Sequence, residues 1–320
     1  MSSTLRLSRA NHSSASATSA SRRIPLHPLW AQLVAWYEHS VPNHRGKRFL
    51  LRALITLNRR RRFAWRMKNG VLLVFSPEEG LVSPETVGWT CFLSGCWEPH
   101  VKKCIDELLT PGDVAIDVGA NLGYFSAVMA QRVGATGQVW SFEPVPETYE
   151  RLLIARDLNG FDNLTPLPFA LAASEGPMSI AYDARLTGNA SLLSEVSVSD
   201  RVRRVEVRAH TLDGLIASGV VTGLPALVKI DVEGFEFEVL KGAERTIEAA
   251  RPAIIFEFNE RTARLGGWSL TDIEMLLSRC GRYELFRVNS VGLTPVEAGD
   301  LALARDEYVD VLALEEGHLL

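Results

Sequence analysis

The chain has 320 residues, 47% of them hydrophobic and 22% charged, enough for one large globular domain with accessory elements and unlike a disordered chain. No apolar run reaches the ~18 residues of a membrane-spanning helix. The formal net charge of −4 hides a split: residues 1–104 carry 16 Lys+Arg against 5 Asp+Glu, and residues 105–320 carry 18 against 33, the pattern of an acidic body with a basic N-terminal attachment.

Residues 1–23 are rich in Ser and Ala, contain Arg6, Arg9, Arg22 and Arg23, and lack the apolar segment of a secretory signal. They read as a disordered basic tail, with an Arg- and Ser-rich organellar transit peptide as the alternative. Residues 24–104 form a helical and hairpin extension. Leu29, Leu33, Val34 and Tyr37 recur at helical spacing. After a break near Pro42 and Gly46, a second helix over 47–57 runs into Arg59, Arg60, Arg61 and Arg62, with Arg52, Arg66 and Lys68 nearby. Such a cluster suits a nuclear address, a nucleic-acid contact, an anionic membrane surface or a solvated helix end. Residues 64–75 predict a hairpin turning at Asn69 and Gly70. A helix over 101–109 follows, stopped by Pro111 and Gly112.

From residue 105 strand and helix patterns alternate. Strands are predicted near 114–118, 137–142, 165–169, 226–231, 253–258, 283–288 and 307–314, and helices near 123–132, 146–158, 234–249 and 271–280. This alternation predicts an α/β fold, a mostly parallel sheet with helices on both faces. Residues 178–182 and 202–207 alternate apolar and polar side chains as a small antiparallel flap would, and Gly188 to Ser191 suit a mobile loop between them. Cys91, Cys96, Cys104 and Cys280 form no Cys-x-x-Cys pair. Cys96 and Cys104, among apolar residues, fit small buried thiols, and the set suits a reducing, cytoplasmic setting.

Two segments carry the chemistry. In the first, an apolar strand runs into Asp117-x-Gly119-x-Asn121-x-Gly123 and then a helix. Glycines at such a turn let the backbone approach a cofactor where a Cβ would collide. No third glycine follows in dinucleotide register. Glu143 closes the next strand, where ribose hydroxyls are gripped. The pair predicts S-adenosylmethionine, and Gly119→Val is expected to block the site while leaving the fold intact. In the second, a strand ends in Lys229, Ile230, Asp231, Val232, Glu233 and Gly234, with Glu236 just beyond. In open α/β sheets ligands sit off the carboxyl ends of strands.

The chain resembles the FkbM family of class I S-adenosylmethionine-dependent methyltransferases. The resemblance rests on the run from Gly95 to Glu98, the turn from Asp117 to Gly123, Phe142 with Glu143 and Pro144, Thr211 to Asp213, Lys229 to Gly234, and Glu257. It implies a Rossmann-like, seven-stranded sheet over 105–320 and methyl transfer to a hydroxyl of a small-molecule, sugar (glycan) or lipid-like acceptor. It implies that Asp117, Gly119, Ala120, Asn121 and Gly123 face the methionine part and Glu143 the ribose. Asp162, Asn163, Phe169 and Ala170 would flank adenine, and Glu98 would contact the ammonium or cap a helix. Asp231 is the first candidate for a catalytic base or metal ligand and Glu257 the second. Lys229, two residues before Asp231, lies on the same side of its strand. Glu233 and Glu236 could join Asp231 around a divalent cation, although the absence of His among them favours a metal-free reaction. The alternatives are an RNA ribose methyltransferase docking through the basic segment and a cofactor-binding protein without turnover. Lys229–Gly234 stands where base-amine methyltransferases carry Asn-Pro-Pro-Tyr or Asp-Pro-Pro-Tyr, which argues against base-amine methylation; ribose methylation is harder to exclude, and nucleic acid stays the less favoured partner. Nothing in the sequence sets an oligomeric state.

Overall fold

A computed structural model describes residues 24–42, 46–59, 61–82, 86–182, 202–296 and 308–317. The tail over 1–23, Arg60 and the predicted loop from Gly188 to Ser191 lie outside them.

The N-terminal extension starts with two helices, α1 (Leu29–Ser40) and α2 (Lys47–Asn58). The buried Lys47 ammonium donates to the carbonyls of Glu38 and Val41, joining the end of α1 to the start of α2. The predicted hairpin follows as β1 (Phe63–Arg66) and β2 (Leu72–Phe75). Two short helices that no periodicity announced come next, α3 (Pro77–Val82) and α4 (Val87–Ser94), the second capped by the Thr86 hydroxyl. Phe63, Phe75 and Phe92 are fully buried and their rings pack at 5.2–6.0 Å between centroids. Helix α5 (Pro99–Leu108) leads into the sheet.

The parallel sheet is built from β3 (Val114–Val118), α6 (Tyr124–Val133), β4 (Gln138–Phe142), α7 (Pro146–Asn159) and β5 (Leu164–Leu167). A separate three-stranded sheet follows, β6 (Ala170–Leu171), β7 (Gly176–Tyr182) and β8 (Arg203–His210), with β7 and β8 antiparallel as the flap pattern predicts. Helix α8 (Leu212–Ala217) returns the chain to β9 (Leu227–Ile230). The helix expected over 234–249 is two, α9 (Glu236–Lys241) and α10 (Glu244–Ala250). They break at Gly242, where a Cβ would lie 2.0 Å from the carbonyl oxygen of Ala172. Then come β10 (Ala253–Asn259), α11 (Glu260–Gly266), α12 (Leu270–Cys280) with a Ser269–Asp272 capping box, β11 (Tyr283–Asn289), β12 (Gly292–Pro295) and β13 (Tyr308–Glu315).

The main sheet runs β12-β11-β13-β10-β9-β3-β4-β5. It is parallel from β10 to β5 and antiparallel from β10 through β13 and β11 to β12. The α/β fold is the Rossmann-like one expected, with one strand more than seven. The extra strand, β12, has four residues bounded by glycine and proline, too short for alternation to register. Its proline is tolerated because β12 is an edge.

The extension shares its core with the sheet: Phe63, Leu73, Phe92, Ile105, Ala115 and Met129 belong to one buried cluster. Two polar anchors reinforce the contact. The buried Arg151 guanidinium of α7 donates to the Val74 carbonyl and to Glu79. Asn159 accepts from the Leu72 amide and donates to its carbonyl, both at 2.8 Å. Each satisfies groups that would be costly to bury alone.

Candidate active site

The carboxyl ends of β3, β4, β9 and β10 open into a cavity of about 890 Å³, ample for a nucleoside-sized ligand and an acceptor. Asp117, Gly119, Ala120, Asn121, Glu143 and Ala170 line one half, and Glu98, Lys229, Asp231, Glu233 and Glu257 the other.

In the first half the backbone does the positioning. Asp117, one residue before the end of β3, is buried and accepts at 2.5 Å from the Ser126 hydroxyl, which itself accepts from Ser141. Its second oxygen, Oδ1, is buried without a hydrogen-bond partner. Burial raises the Asp117 pKa, and the charge of Lys229 on the neighbouring strand opposes the rise. Glu143 accepts from the Asn121 amide at 2.9 Å and from the Val145 amide at 2.8 Å. Burial pushes its pKa up to about 7 while the two amides pull it down. A carboxylate has about four acceptor sites, so Glu143 keeps capacity for a diol.

The glycines have other duties than the one expected of them. Gly119 has φ +80°, and a Cβ there would lie 1.9 Å from the carbonyl oxygen of Asp231. It is glycine so that the β3 turn can pass against the β9 turn. Gly119→Val therefore threatens the fold itself, contrary to the expectation of an intact fold. Gly123 is not among the cavity-lining residues; at φ +83° a Cβ would lie 2.4 Å from Leu152, so it packs α6 against α7. Asn163 sits at the other end of the sheet. It precedes β5, and its amide group donates to the carbonyls of Ala130 and Gly134. Asp162 beside it is likewise not among the lining residues, whereas Phe169 and Ala170, past the carboxyl end of β5, are.

In the second half acids crowd one lysine. Lys229 is 3% exposed, and its ammonium lies 2.9 Å from Asp231 and 4.7 Å from the centroid of the Phe125 ring. Burial alone would lower its pKa; the charges of Asp231, Asp117 and Glu98 more than reverse this, so it stays protonated. Glu98 and Glu233 are each pushed up to about 8 by burial and then by neighbouring carboxylates. Glu257 is raised well above the carboxylate range by burial and by Asp231, Glu233, Glu236 and Asp310. Carboxylate oxygens of Asp231, Glu233 and Glu257 lie within 4.8 Å of one another, a spacing that could hold a cation. Glu236 is not part of that group. It is buried and turned back to accept from the Val232 and Gly234 amides, so it stabilises the turn. The cavity takes its place through Glu257, which strand order brings to it. Glu98 occupies the N-cap position of α5 without a side-chain cap bond.

Glu98, Asn121 and Glu233 adopt positive φ values of 35°, 50° and 55°. Positive φ is uncommon for non-glycine residues; of the five among the described residues, these three line the cavity, whereas His27 and Arg251 do not. Sequence reasoning missed Tyr308 and Asn259, which line the acidic half, and Arg203, which lines the rim with Arg59 and Arg62. Tyr308 begins an antiparallel strand remote from every motif, and no local signal marks it.

The methyltransferase FkbM domain matches residues 117–283. The hexuronic acid methyltransferase AglP of Haloferax volcanii is 30% identical over 159 residues, covering 49% of this chain and 61% of AglP. The methyltransferase sdnD of Sordaria araneosa is 29% identical over 174 residues, covering 46% of this chain and 67% of sdnD. The chain thus spans about three fifths to two thirds of these relatives. A crystal structure of a methyltransferase FkbM from Methylobacillus flagellatus aligns over 90% of this chain and 58% of its own, at 14% identity and a TM-score of 0.41. With more than half of its length matched by the family's domain, the chain belongs to the FkbM methyltransferase family.

Proposed function

We propose that the protein is an S-adenosylmethionine-dependent O-methyltransferase acting on a hydroxyl of a small-molecule, sugar or lipid-like acceptor. The observation that carries this is the meeting, in one cavity, of a cofactor half with an unpartnered buried acceptor and an acidic half with a proton-accepting group. The cofactor fits the first half. The orphaned Asp117 Oδ1 suits an ammonium, the free acceptor sites of Glu143 suit a ribose diol, and Val145, Phe169 and Ala170 offer apolar surface for a base.

When bound, S-adenosylmethionine supplies a methyl group on a cationic sulfur, open to in-line displacement. An aliphatic hydroxyl needs its proton taken as the new oxygen–carbon bond forms, and most of the remaining catalysis is alignment. Glu257 suits the proton better than Asp231 does. Asp231 is tied to Lys229, whereas burial, and then the acids around it, raise the affinity of Glu257 for a proton. The Lys229–Asp231 pair then orients the acceptor oxygen. The name of the relative AglP supports a sugar-like acceptor.

The test is transfer of labelled methyl from S-adenosylmethionine into a lysate, with the product treated with mild base. A methyl ether survives. Label released as methanol would mean carboxylate methylation and would overturn the hydroxyl assignment. No transfer by a protein that binds S-adenosylhomocysteine would favour a binding protein without turnover.

A further inference from the structure

Helices α1 and α2 each show two apolar faces. The inner faces are buried: Ala31 and Val34 on α1 and Ile55 on α2 pack on the core. The outer faces are apolar as well. Leu29, Leu33 and Trp36, at i, i+4 and i+7 on α1, are 78%, 55% and 59% exposed. On α2, Phe49, Leu50 and Leu57 are 73%, 53% and 81% exposed. Of the twelve exposed large hydrophobics among the described residues, seven lie between Leu26 and Leu57, so the exposure is local to this helix pair. Concentrated exposed apolar surface marks an interaction site.

The charge around these helices selects the cover. Residues 24–68 hold ten Lys+Arg and one acid, Glu38. Arg52, Arg59, Arg61, Arg66 and Lys68 are exposed. Exposed Leu, Phe and Trp interleaved with arginine match an interfacial helix on an anionic bilayer, where apolar side chains enter the acyl boundary and cations meet phosphate. A second copy of the chain would set this positive surface against itself in a two-fold contact. A nucleic acid would use the arginines and leave the apolar face uncovered.

We infer that α1 and α2 form a docking surface for an anionic phospholipid bilayer. This goes beyond the proposed reaction and is independent of the acceptor. Arg59 and Arg62, directly after α2, also line the cavity, so docking turns the cavity rim towards the interface and suits an acceptor held there.

The test is co-sedimentation of the full chain with vesicles of phosphatidylcholine alone or with about 30% phosphatidylserine, with the anionic vesicles expected to bind roughly tenfold more tightly. Raising salt from about 0.1 M to about 0.5 M should weaken that binding severalfold, because exposed charges are screened. The double variant Leu33→Glu/Trp36→Glu should lose roughly tenfold in vesicle affinity while its affinity for S-adenosylhomocysteine is unchanged. Phe49→Glu, on the other helix, serves the same purpose should the double variant fail to fold. Equal binding to both vesicles, or undiminished binding by folded variants, overturns the inference. So does a concentration-dependent dimer that the variants convert to monomer. So does vesicle binding that vanishes on deleting residues 1–23 but survives Leu33→Glu/Trp36→Glu. If vesicle binding holds and methyl transfer fails, the docking surface stands without the reaction.

Discussion

The two halves of the cavity solve the same problem in opposite ways. Both bury carboxyl groups, and burial raises the pKa of each group that shifts. At the β3–β4 end donors pull back: two amides serve Glu143, and a hydroxyl with the charge of Lys229 serves Asp117. At the β9–β10 end further carboxylates push the same way as burial, on Glu98, Glu233 and Glu257 alike. The first half offsets burial with donors, whereas in the second half burial and neighbouring acids together make the carboxyl groups hold their protons more tightly.

The largest effect should come from Gly119→Val, which strikes the seam between the halves. A Cβ 1.9 Å from the Asp231 carbonyl forces β3 and β9 apart. Melting temperature should fall by roughly 5–10 °C or more, and calorimetry should find no S-adenosylhomocysteine binding. A folded variant with a wild-type melting temperature would show that the two turns do not depend on each other.

Next in size are the acids of the second half. Glu257→Gln should lower the methyl-transfer rate by roughly 10²–10⁴ and Asp231→Asn by less, with S-adenosylhomocysteine affinity within about tenfold of wild type in both. The pH–rate profile of the wild type should rise with pH as Glu257 gives up its proton, and Glu257→Gln should flatten that limb. An equal loss of cofactor affinity would erase the distinction between the halves.

A smaller effect sharpens the electrostatic contrast. Glu98 and Glu233 have folded-state pKa values near 8, above those of an unfolded chain. Their protons are held more tightly when folded, so the stability they contribute is full below about pH 4.5 and lost as pH rises through about 8. The melting temperature should decline from pH 5 to pH 9, and Glu98→Gln with Glu233→Gln should recover a few degrees at the alkaline end only. Recovery at pH 5 as well would mean that the acids act through packing.

The smallest effect should be that of a chelator. Lys229 already sets a positive charge 2.9 Å from Asp231, so the cluster has an internal counter-ion. Excess chelator should change the rate by less than about twofold. A silenced enzyme restored by Mg²⁺ or Mn²⁺ would assign Asp231, Glu233 and Glu257 to a metal instead.

Much of this molecule was legible one segment at a time. The glycine turn after Asp117, the acid closing β4, the Lys229–Gly234 run, the hairpin at Asn69 and Gly70 and the order of strands and helices are all local. Each depends on side-chain alternation, on φ, or on contacts within a few residues, and these survive in a linear string. What the string could not carry is adjacency. The pairing of β3 with β9 and β9 with β10 decided that Glu257 would join Asp231 and Glu233, and that Gly119 would be pressed against a carbonyl more than a hundred residues away. Position along a strand mattered too. Asn163 lies six residues before Phe169, yet the length of β5 separates them, and only the latter reaches the cavity. Glu236 was legible as a residue type but not as a direction, because its role depends on a turn folding back on itself. Local geometry follows from the chain's own stereochemistry, whereas the electrostatics of the site arise between strands, and only their packing order sets which charges meet.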